Sequence, residues 1–114
     1  MVNIFSIGRP WGDFRQFTLN EISTVKIITI KAGESLSLQY HNHRDEFWKI
    51  LEGQPEVTID DKIIQANEGD EFNISKKENH RIKAGDKGVK FLEIASGKFD
   101  ENDIIRLEDK YGRV

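Results

Sequence analysis

The sequence contains no cysteine among its 114 residues, which excludes disulfide bonds and thiolate metal ligands within this chain. Such a composition fits a reducing compartment. No apolar run is long enough to cross a bilayer, and the N-terminus, MVNIFSIGRPWG, has no long apolar core of the kind found in signal peptides. We therefore expect a cytoplasmic protein with no membrane partner.

The sequence also has no excess of basic residues. Lysine and arginine total 17 against 20 aspartates and glutamates, and the basic residues are scattered rather than interleaved with aromatics. These features argue against a nucleic-acid partner. The balance of 37% hydrophobic and 32% charged residues is typical of a globular protein, and the length predicts a single domain over residues 1–114.

Sustained helical periodicity is also missing from the chain. Short runs rich in β-branched and aromatic residues are separated by glycine, asparagine and aspartate; they include VKIITIK, EFWKILEG, EVTID, KIIQA and FLEIAS. This pattern predicts an all-β fold, a sandwich or barrel with little helix. The later segment DENDIIRLEDKYGR fits either a short helical turn or an edge strand. The apolar opening, Val2 to Ile7, is expected to form an edge strand, and the cluster from Arg9 to Gly12 is expected to form a loop. Trp11 in that loop either plugs the end of a barrel or contacts a substrate or partner.

The stretch from Gly33 to Gly53, GESLSLQYHNHRDEFWKILEG, concentrates potential metal ligands. In an extended strand Gln39, His41 and His43 share one face, so Gln39 and His41 can bind one ion. After a short polar turn the chain returns as a second strand, and Glu46 stands at its start, where its carboxylate can reach the same ion. This spacing predicts a metal site.

A further ligand is expected from a distant part of the chain, because a transition-metal site usually takes three or four protein groups. His80 is the histidine that remains, in the segment GDEFNISKKENHRIKAG. The four predicted ligands carry one negative charge in total, on Glu46. A bound divalent ion would stay positive and act as a Lewis acid.

These two stretches resemble the two cupin motifs. Gly33, His41, Glu46 and Gly53 stand at motif positions in the first, with Gln39 where most cupins have histidine. The second runs from Gly69 to His80, with Ser75 and Lys77 where the family usually has proline and glycine. The resemblance implies a cupin β-barrel or jelly roll of two antiparallel sheets. It also implies a homodimer, which would cover open edge strands.

Three segments narrow the resemblance to the cupin domain of type II phosphomannose isomerases: RPWGDFRQF, LSLQYHNHRDEFWKILEG and IASGKFDENDIIRLEDKYGR. In that family the module commonly follows a mannose-1-phosphate guanylyltransferase part, which these 114 residues do not include. The resemblance implies metal-dependent interconversion of mannose 6-phosphate and fructose 6-phosphate through an enediol. Zinc is the first expectation for the ion, with iron, manganese, cobalt, nickel and magnesium as alternatives.

Three further residues are candidates for catalysis. The resemblance implies a catalytic or substrate-contacting role for Arg44, against a salt bridge to a neighbouring carboxylate. His43 is a candidate acid or base facing the substrate. Glu93, in an apolar strand, is either a base with a raised pKa or the partner of a lysine across the sheet. The proton carrier is thus His43, Glu93 or a hydroxide on the ion, and no phosphate-binding residue is assigned.

Two other functions stay open from the sequence. One is a cupin that binds a sugar or sugar nucleotide without turnover, favoured by the small size and by the unusual second motif. The other is an iron-dependent oxygenase, because His41, His80 and Glu46 also form a two-histidine, one-carboxylate set.

Overall fold

The computed structural model describes residues 4–114, which form eleven strands and, within that range, no helix. In chain order these are β1 (Phe5–Arg9), β2 (Gly12–Gln16), β3 (Ser23–Ile30), β4 (Leu38–Tyr40), β5 (Glu46–Glu52), β6 (Glu56–Ile59), β7 (Lys62–Gln65), β8 (Glu71–Ile74), β9 (His80–Lys83), β10 (Val89–Ser96) and β11 (Ile105–Glu108). The all-β prediction is confirmed. The segment that fitted helix or strand contains an edge strand, β11. Nothing over residues 4–114 forms a helix suited to spanning a membrane.

The strands form two larger antiparallel sheets and a hairpin. One sheet has the order β3-β10-β5-β8, the other β11-β4-β9-β6-β7, and β1 pairs only with β2 among the described strands. Because β4 and β9 lie in one sheet and β5 in the other, residues from the two cupin-like segments meet between the sheets.

The main core lies between the inward faces of the two large sheets. Its central side chains are Trp48 and Ile50 from β5 and Phe91 from β10, each at most 1% exposed. The complete set of buried residues in this cluster is Ile30, Trp48, Ile50, Val57, Ala66, Ile74, Ile82, Val89 and Phe91. Burying such side chains contributes about 1.5–3 kcal/mol each. The core therefore comes largely from apolar strand residues without help from an ion.

The first part of strand β5 is buried on both faces, because the segment after the N-terminal hairpin covers its outer side at Phe47. Phe17, just after β2, packs against Phe47 with ring centroids 5.6 Å apart. Arg15 on β2 also forms an ion pair with Glu71 on β8. These contacts attach the hairpin to the outside of the four-stranded sheet.

Trp11 lies in the two-residue turn between β1 and β2 and is 74% exposed. Of the two alternatives for this residue, the plug of a barrel end is wrong, because the turn is at the free end of the hairpin, away from the core. A contact with a substrate or partner stays a prediction. The expected loop around Arg9 and Gly12 is also shorter than predicted, since both residues belong to strands. The expected apolar edge strand began at Val2, which lies outside the described residues; β1 begins at Phe5.

Two turns depend on residues with positive φ. Gly53 has a φ of 95°, and a Cβ atom there would lie 2.3 Å from the carbonyl oxygen of Gly88, so a larger residue does not fit. Lys77 has a φ of 66°. That conformation suits glycine, which is the residue the cupin resemblance led us to expect at this position.

Candidate metal centre

Three buried side chains from three segments converge at the mouth of the barrel. His41 directly follows β4, Glu46 is the first residue of β5, and His80 is the first residue of β9. One ligand atom from each lies within 4.8 Å of the others. The three residues are between 1% and 4% exposed. The predicted convergence of these three residues is therefore present, although His41 lies just past the strand rather than within it.

Backbone carbonyls fix both imidazole rings. Nδ1 of His41 donates to the carbonyl oxygen of Asp103 at 2.6 Å, and Nδ1 of His80 donates to that of Glu78 at 2.9 Å. A proton on Nδ1 leaves Nε2 of each ring with a lone pair and no hydrogen. The two Nε2 atoms lie 3.4 Å and 3.7 Å from the carboxylate oxygens of Glu46. This arrangement presents two imidazole lone pairs beside one carboxylate.

The site fits a divalent cation. Nε2 of His80 is buried and has no hydrogen-bond partner, although buried polar atoms rarely lack one. Burial lowers the pKa of both His41 and His80, against the opposing effect of Glu46. Both rings are therefore held neutral, which is the form that coordinates metals. Two neutral imidazoles and one carboxylate are a ligand set that divalent transition metals accept.

Asp103 fastens the turn that carries His41. Its carboxylate accepts hydrogen bonds from the backbone N–H groups of Asn42, at 2.8 Å, and His43, at 3.0 Å. Burial alone would raise the pKa of Asp103, but these two bonds bring it below its ordinary value. The carboxylate thus stays charged and holds the turn. Sequence reasoning missed this residue, which lies about 60 positions from the turn that it fixes.

The turn between β8 and β9 is bonded to the same ligand segment. The backbone N–H of Lys77 donates to the carbonyl oxygen of His41 at 2.7 Å, and that of Lys76 donates to the Asp45 carboxylate at 2.9 Å. The positive φ of Lys77 therefore belongs to a turn that positions the metal ligands.

Gln39 lies opposite His80 in the register of β4 and β9. Directly opposed residues of an antiparallel pair point to the same face, so Gln39 shares the face of His80. Its side-chain oxygen accepts a hydrogen bond from Ser37 at 2.5 Å. Its role as a metal ligand stays a prediction.

Arg44 brings a guanidinium group to the same site and is only 8% exposed. Its Nε donates to Glu46 at 3.0 Å, its Nη2 lies 3.3 Å from Nε2 of His41, and its Nη1 donates to the carbonyl oxygen of Asp100 at 3.2 Å. The salt bridge to Glu46 that was weighed against a catalytic role is therefore present. The position beside the ligands also suits contact with a substrate, which stays a prediction.

Glu93 faces the barrel interior on β10, opposite Trp48 on β5 and Lys26 on β3. It is 7% exposed. Burial, reinforced by the negative charge of Glu46, raises its pKa to about 7, although Lys26 opposes the shift. The raised pKa agrees with one sequence alternative, and the position of Lys26 across the sheet agrees with the other. A role for Glu93 as a base stays a prediction. His43, in contrast, lies exposed in the turn after β4.

The family profile described as "Mannose-6-phosphate isomerase C-terminal" matches residues 3–109 of this chain. The chain belongs to that family. The match covers both metal-ligand segments and the strand β11 that follows them, so the resemblance drawn from the sequence motifs is confirmed.

Relatives of this cupin domain are longer proteins. The chain is 39% identical over 110 residues to the xanthan biosynthesis protein XanB of Xanthomonas campestris pv. campestris, covering 95% of this chain and 24% of XanB. It is 37% identical to a mannose-1-phosphate guanylyltransferase of Escherichia coli K12, covering 95% of this chain and 23% of that protein. The chain thus spans about a quarter of the length of these relatives.

Among solved structures, oxalate decarboxylase from Bacillus subtilis has a similar fold. It superposes with a TM-score of 0.70 and 28% identity over 76% of this chain and 24% of that one. The cupin fold expected from the two motifs is confirmed by this likeness. In this cupin domain His41, Glu46 and His80 form a buried group able to hold a divalent metal ion.

Proposed function

We propose that this cupin domain is a metal-dependent isomerase that interconverts mannose 6-phosphate and fructose 6-phosphate. The observation that carries the proposal is the buried group of two neutral histidines and Glu46, with the unpartnered Nε2 of His80, in a domain of this family. An aldose–ketose isomerisation moves one proton between C1 and C2 of the sugar and consumes no other reactant. The protein must therefore supply a proton carrier and a positive environment for the oxygens.

Zinc is our first expectation for the ion, with His41, Glu46, His80 and Gln39 as its ligands. When bound, such an ion polarises the C1 and C2 oxygens and stabilises negative charge on them. The alternatives stay iron, manganese, cobalt, nickel and magnesium. Manganese gains some support from a solved structure of B. subtilis oxalate decarboxylase described by its Mn(II) centres, with 26% identity and a TM-score of 0.67.

Glu93 is the proton carrier that we propose. As a carboxylate it would accept the proton from one sugar carbon, and as a carboxylic acid it would return it to the other. Its pKa of about 7 leaves both forms available near neutral pH. Its partner Lys26 and the nearby Glu46 push its pKa in opposite directions, so the value depends on the charge of the whole site. His43, being exposed, is the alternative carrier.

Arg44 supplies fixed positive charge beside the reacting oxygens. Its guanidinium is held by Glu46, by the carbonyl oxygen of Asp100 and by the ring of Phe99, whose centroid lies 4.4 Å from Cζ. A charge held in this way needs little reorganisation when negative charge develops on the substrate.

The homodimer and the cytoplasmic location expected from the sequence stay predictions. Among the described strands β3 pairs only with β10, so its other edge is open. Val25 and Ile27, on the outer face of β3, are 58% and 62% exposed. An open edge with exposed apolar residues is a surface that a second copy would cover. Light scattering that gives the mass of one chain would refute the dimer.

The test of the proposed function is an isomerase assay on purified protein loaded in turn with zinc, manganese, iron and cobalt. Interconversion of the two sugar phosphates supports the proposal, and its absence with every ion refutes it. Binding without turnover would favour the sugar-binding alternative. One observation supports that alternative: the guanidinium of Arg44 contacts Glu46 and lies beside Nε2 of His41, two of the proposed metal ligands. Oxygen uptake by the iron-loaded protein would favour the oxygenase alternative.

A further inference from the structure

Arg106 is a positively charged residue of β11 that the proposed reaction does not use. In the register of its sheet it lies opposite Gln39 on β4, and Gln39 lies opposite His80 on β9. Directly opposed residues of antiparallel strands point to the same face, so Arg106 shares the face that carries the metal ligand His80. Neighbouring strands are about 4.8 Å apart, which places the Cα atom of Arg106 roughly 10 Å from that of His80.

The side chain of Arg106 has charge and hydrogen bonds that nothing in the described chain takes up. It is partly buried, and its Nε is a buried donor without a hydrogen-bond partner. Within residues 4–114 the guanidinium forms neither a hydrogen bond nor an ion pair. A guanidinium carries five N–H donors, and buried donors are seldom left unpaired. Arg106 therefore has donors to offer to a bound ligand.

Arg81 shows how the same side chain is treated on the other face of the sheet. It follows His80 on β9 and so points away from the barrel interior. Its Nε is buried and unpaired like that of Arg106, but its Nη2 donates to the carboxylate of Glu108 at 2.7 Å. The outward arginine thus has an anionic partner in the protein, and the inward one does not.

The other strongly placed charges at the barrel mouth balance one another. Arg44 contacts Glu46 at 3.0 Å, and Lys26 lies opposite Glu93 and opposes the rise of its pKa. These four side chains sum to zero when Glu93 is ionised and to one positive charge when it is protonated. The charge of Arg106 is additional in both cases, so the inner face of the mouth favours an anion in either state.

The acidic loop before β11 does not neutralise Arg106. The carboxylate of Asp103 accepts two backbone N–H groups, and that of Asp100 accepts the N–H of Asn102 at 2.9 Å. Glu101 is 83% exposed and lies 3.8 Å from Nζ of Lys26. In the part of the chain that the structure describes, none of these carboxylates pairs with Arg106.

We infer that Arg106 binds the phosphate group of the sugar phosphate. This inference rests on the proposed function and extends it to the recognition of the substrate's charged end. A guanidinium binds phosphate through paired, charge-assisted hydrogen bonds, which are roughly twice as strong as neutral ones. The phosphate of a hexose 6-phosphate lies at the opposite end of the carbon chain from C1 and C2, which suits a residue that shares the face of His80 but stands two strands away.

The first experiment compares fructose 6-phosphate with fructose as ligands of the zinc-loaded protein, by calorimetry. The parent should bind the phosphorylated sugar more tightly. Arg106→Met should weaken fructose 6-phosphate about tenfold or more, the loss of a charge-assisted bond, and leave fructose unchanged. Arg106→Lys should regain a part of the affinity. Arg81→Met removes the matched arginine on the outer face and should bind both sugars as the parent does.

A second readout follows the contact itself. The Nε–H signals of Arg106 and Arg81 are recorded by nitrogen NMR and assigned by their loss in Arg106→Lys and Arg81→Met. Adding fructose 6-phosphate should shift the Arg106 signal and leave the Arg81 signal in place, and fructose should move neither. This measurement uses the parent protein, so it decides the matter even if Arg106→Met does not fold.

The inference is wrong if the Arg106 signal does not respond to fructose 6-phosphate, or if folded Arg106→Met binds it as well as the parent. Equal losses in Arg106→Met and Arg81→Met would also overturn it, since they would reflect net charge alone. Neither readout needs turnover. An Arg106-dependent preference without isomerase activity would refute the proposed function and leave the phosphate subsite in place, whereas isomerase activity with an unchanged KM in Arg106→Met would do the reverse.

Discussion

Replacing Glu93 by glutamine should make the protein's stability less dependent on pH. Burial raises the pKa of this carboxyl from its ordinary value of 4.5 to about 7. The folded chain therefore keeps a proton that the unfolded chain releases, and the parent's free energy of unfolding should fall as the pH rises from about 4.5 to about 7. Glutamine has the same shape and cannot ionise, so this loss should be absent from Glu93→Gln.

The size of the effect follows from the shift. Each pKa unit corresponds to about 1.36 kcal/mol, so the free energy of unfolding of Glu93→Gln relative to the parent should rise by about 3 kcal/mol between pH 4 and pH 8. Burial lowers the pKa values of His41 and His80 as well, but both histidines are present in both proteins. Their direct contributions therefore cancel in the comparison.

The measurement is urea unfolding in the presence of a chelator, followed by the emission of the buried Trp48 at several pH values. Glu71→Gln is the matched control: the Arg15 guanidinium lowers the pKa of that carboxyl below its ordinary value of 4.5. Its difference from the parent should therefore be flat at pH values well above 4.5 and should change in the parent's favour, not the variant's, as the pH rises from 4. The argument that Glu93 is buried with a raised pKa would be refuted if the free energy of unfolding of Glu93→Gln, relative to the parent, stayed constant or fell as the pH rises.

Three further predictions follow from the site. Arg44→Ala should retain the metal and the fold, measured by elemental analysis and circular dichroism, but lose turnover; wild-type turnover would remove Arg44 from the mechanism. Lys77→Gly should be more stable in urea than Lys76→Gly by about 1 kcal/mol, because only Lys77 has a φ in the left-handed region; equal stabilities would contradict this. Zinc at about a hundred times its dissociation constant should stabilise the parent by about 2.7 kcal/mol and His80→Ala far less; equal stabilisation would place the ion elsewhere.

The sequence predicted those parts of the structure that depend on local pattern. The strands that became β3, β5, β6 and β7 were visible as apolar runs bounded by turn residues, and the two motifs brought His80 to His41 and Glu46 across the sheets. These predictions succeeded because strand periodicity, and the spacing of ligands within each motif, can be recognised from residues close together in the sequence.

The features that were missed depend on contacts between distant residues. Asp103 holds the turn of His41 through a carboxylate and a backbone carbonyl, and a carbonyl has no sequence signature. Arg106 shares a face with Gln39 and His80 only through the register of β11, β4 and β9, which no local pattern reveals. For Trp11 the sequence left two alternatives open, because the pattern could not show that its turn lies at the free end of a hairpin.

The most direct test of the metal site is the metal content of Glu46→Gln after zinc loading and dialysis, with Glu52→Gln as the exposed control. Glu46 is the only anionic group among the predicted ligands, so its loss removes the charge that most favours a divalent cation. We expect the parent and Glu52→Gln to keep about one ion per chain, and Glu46→Gln to keep almost none while its circular dichroism stays that of a folded β-protein. A folded Glu46→Gln that holds zinc as well as the parent would contradict the site.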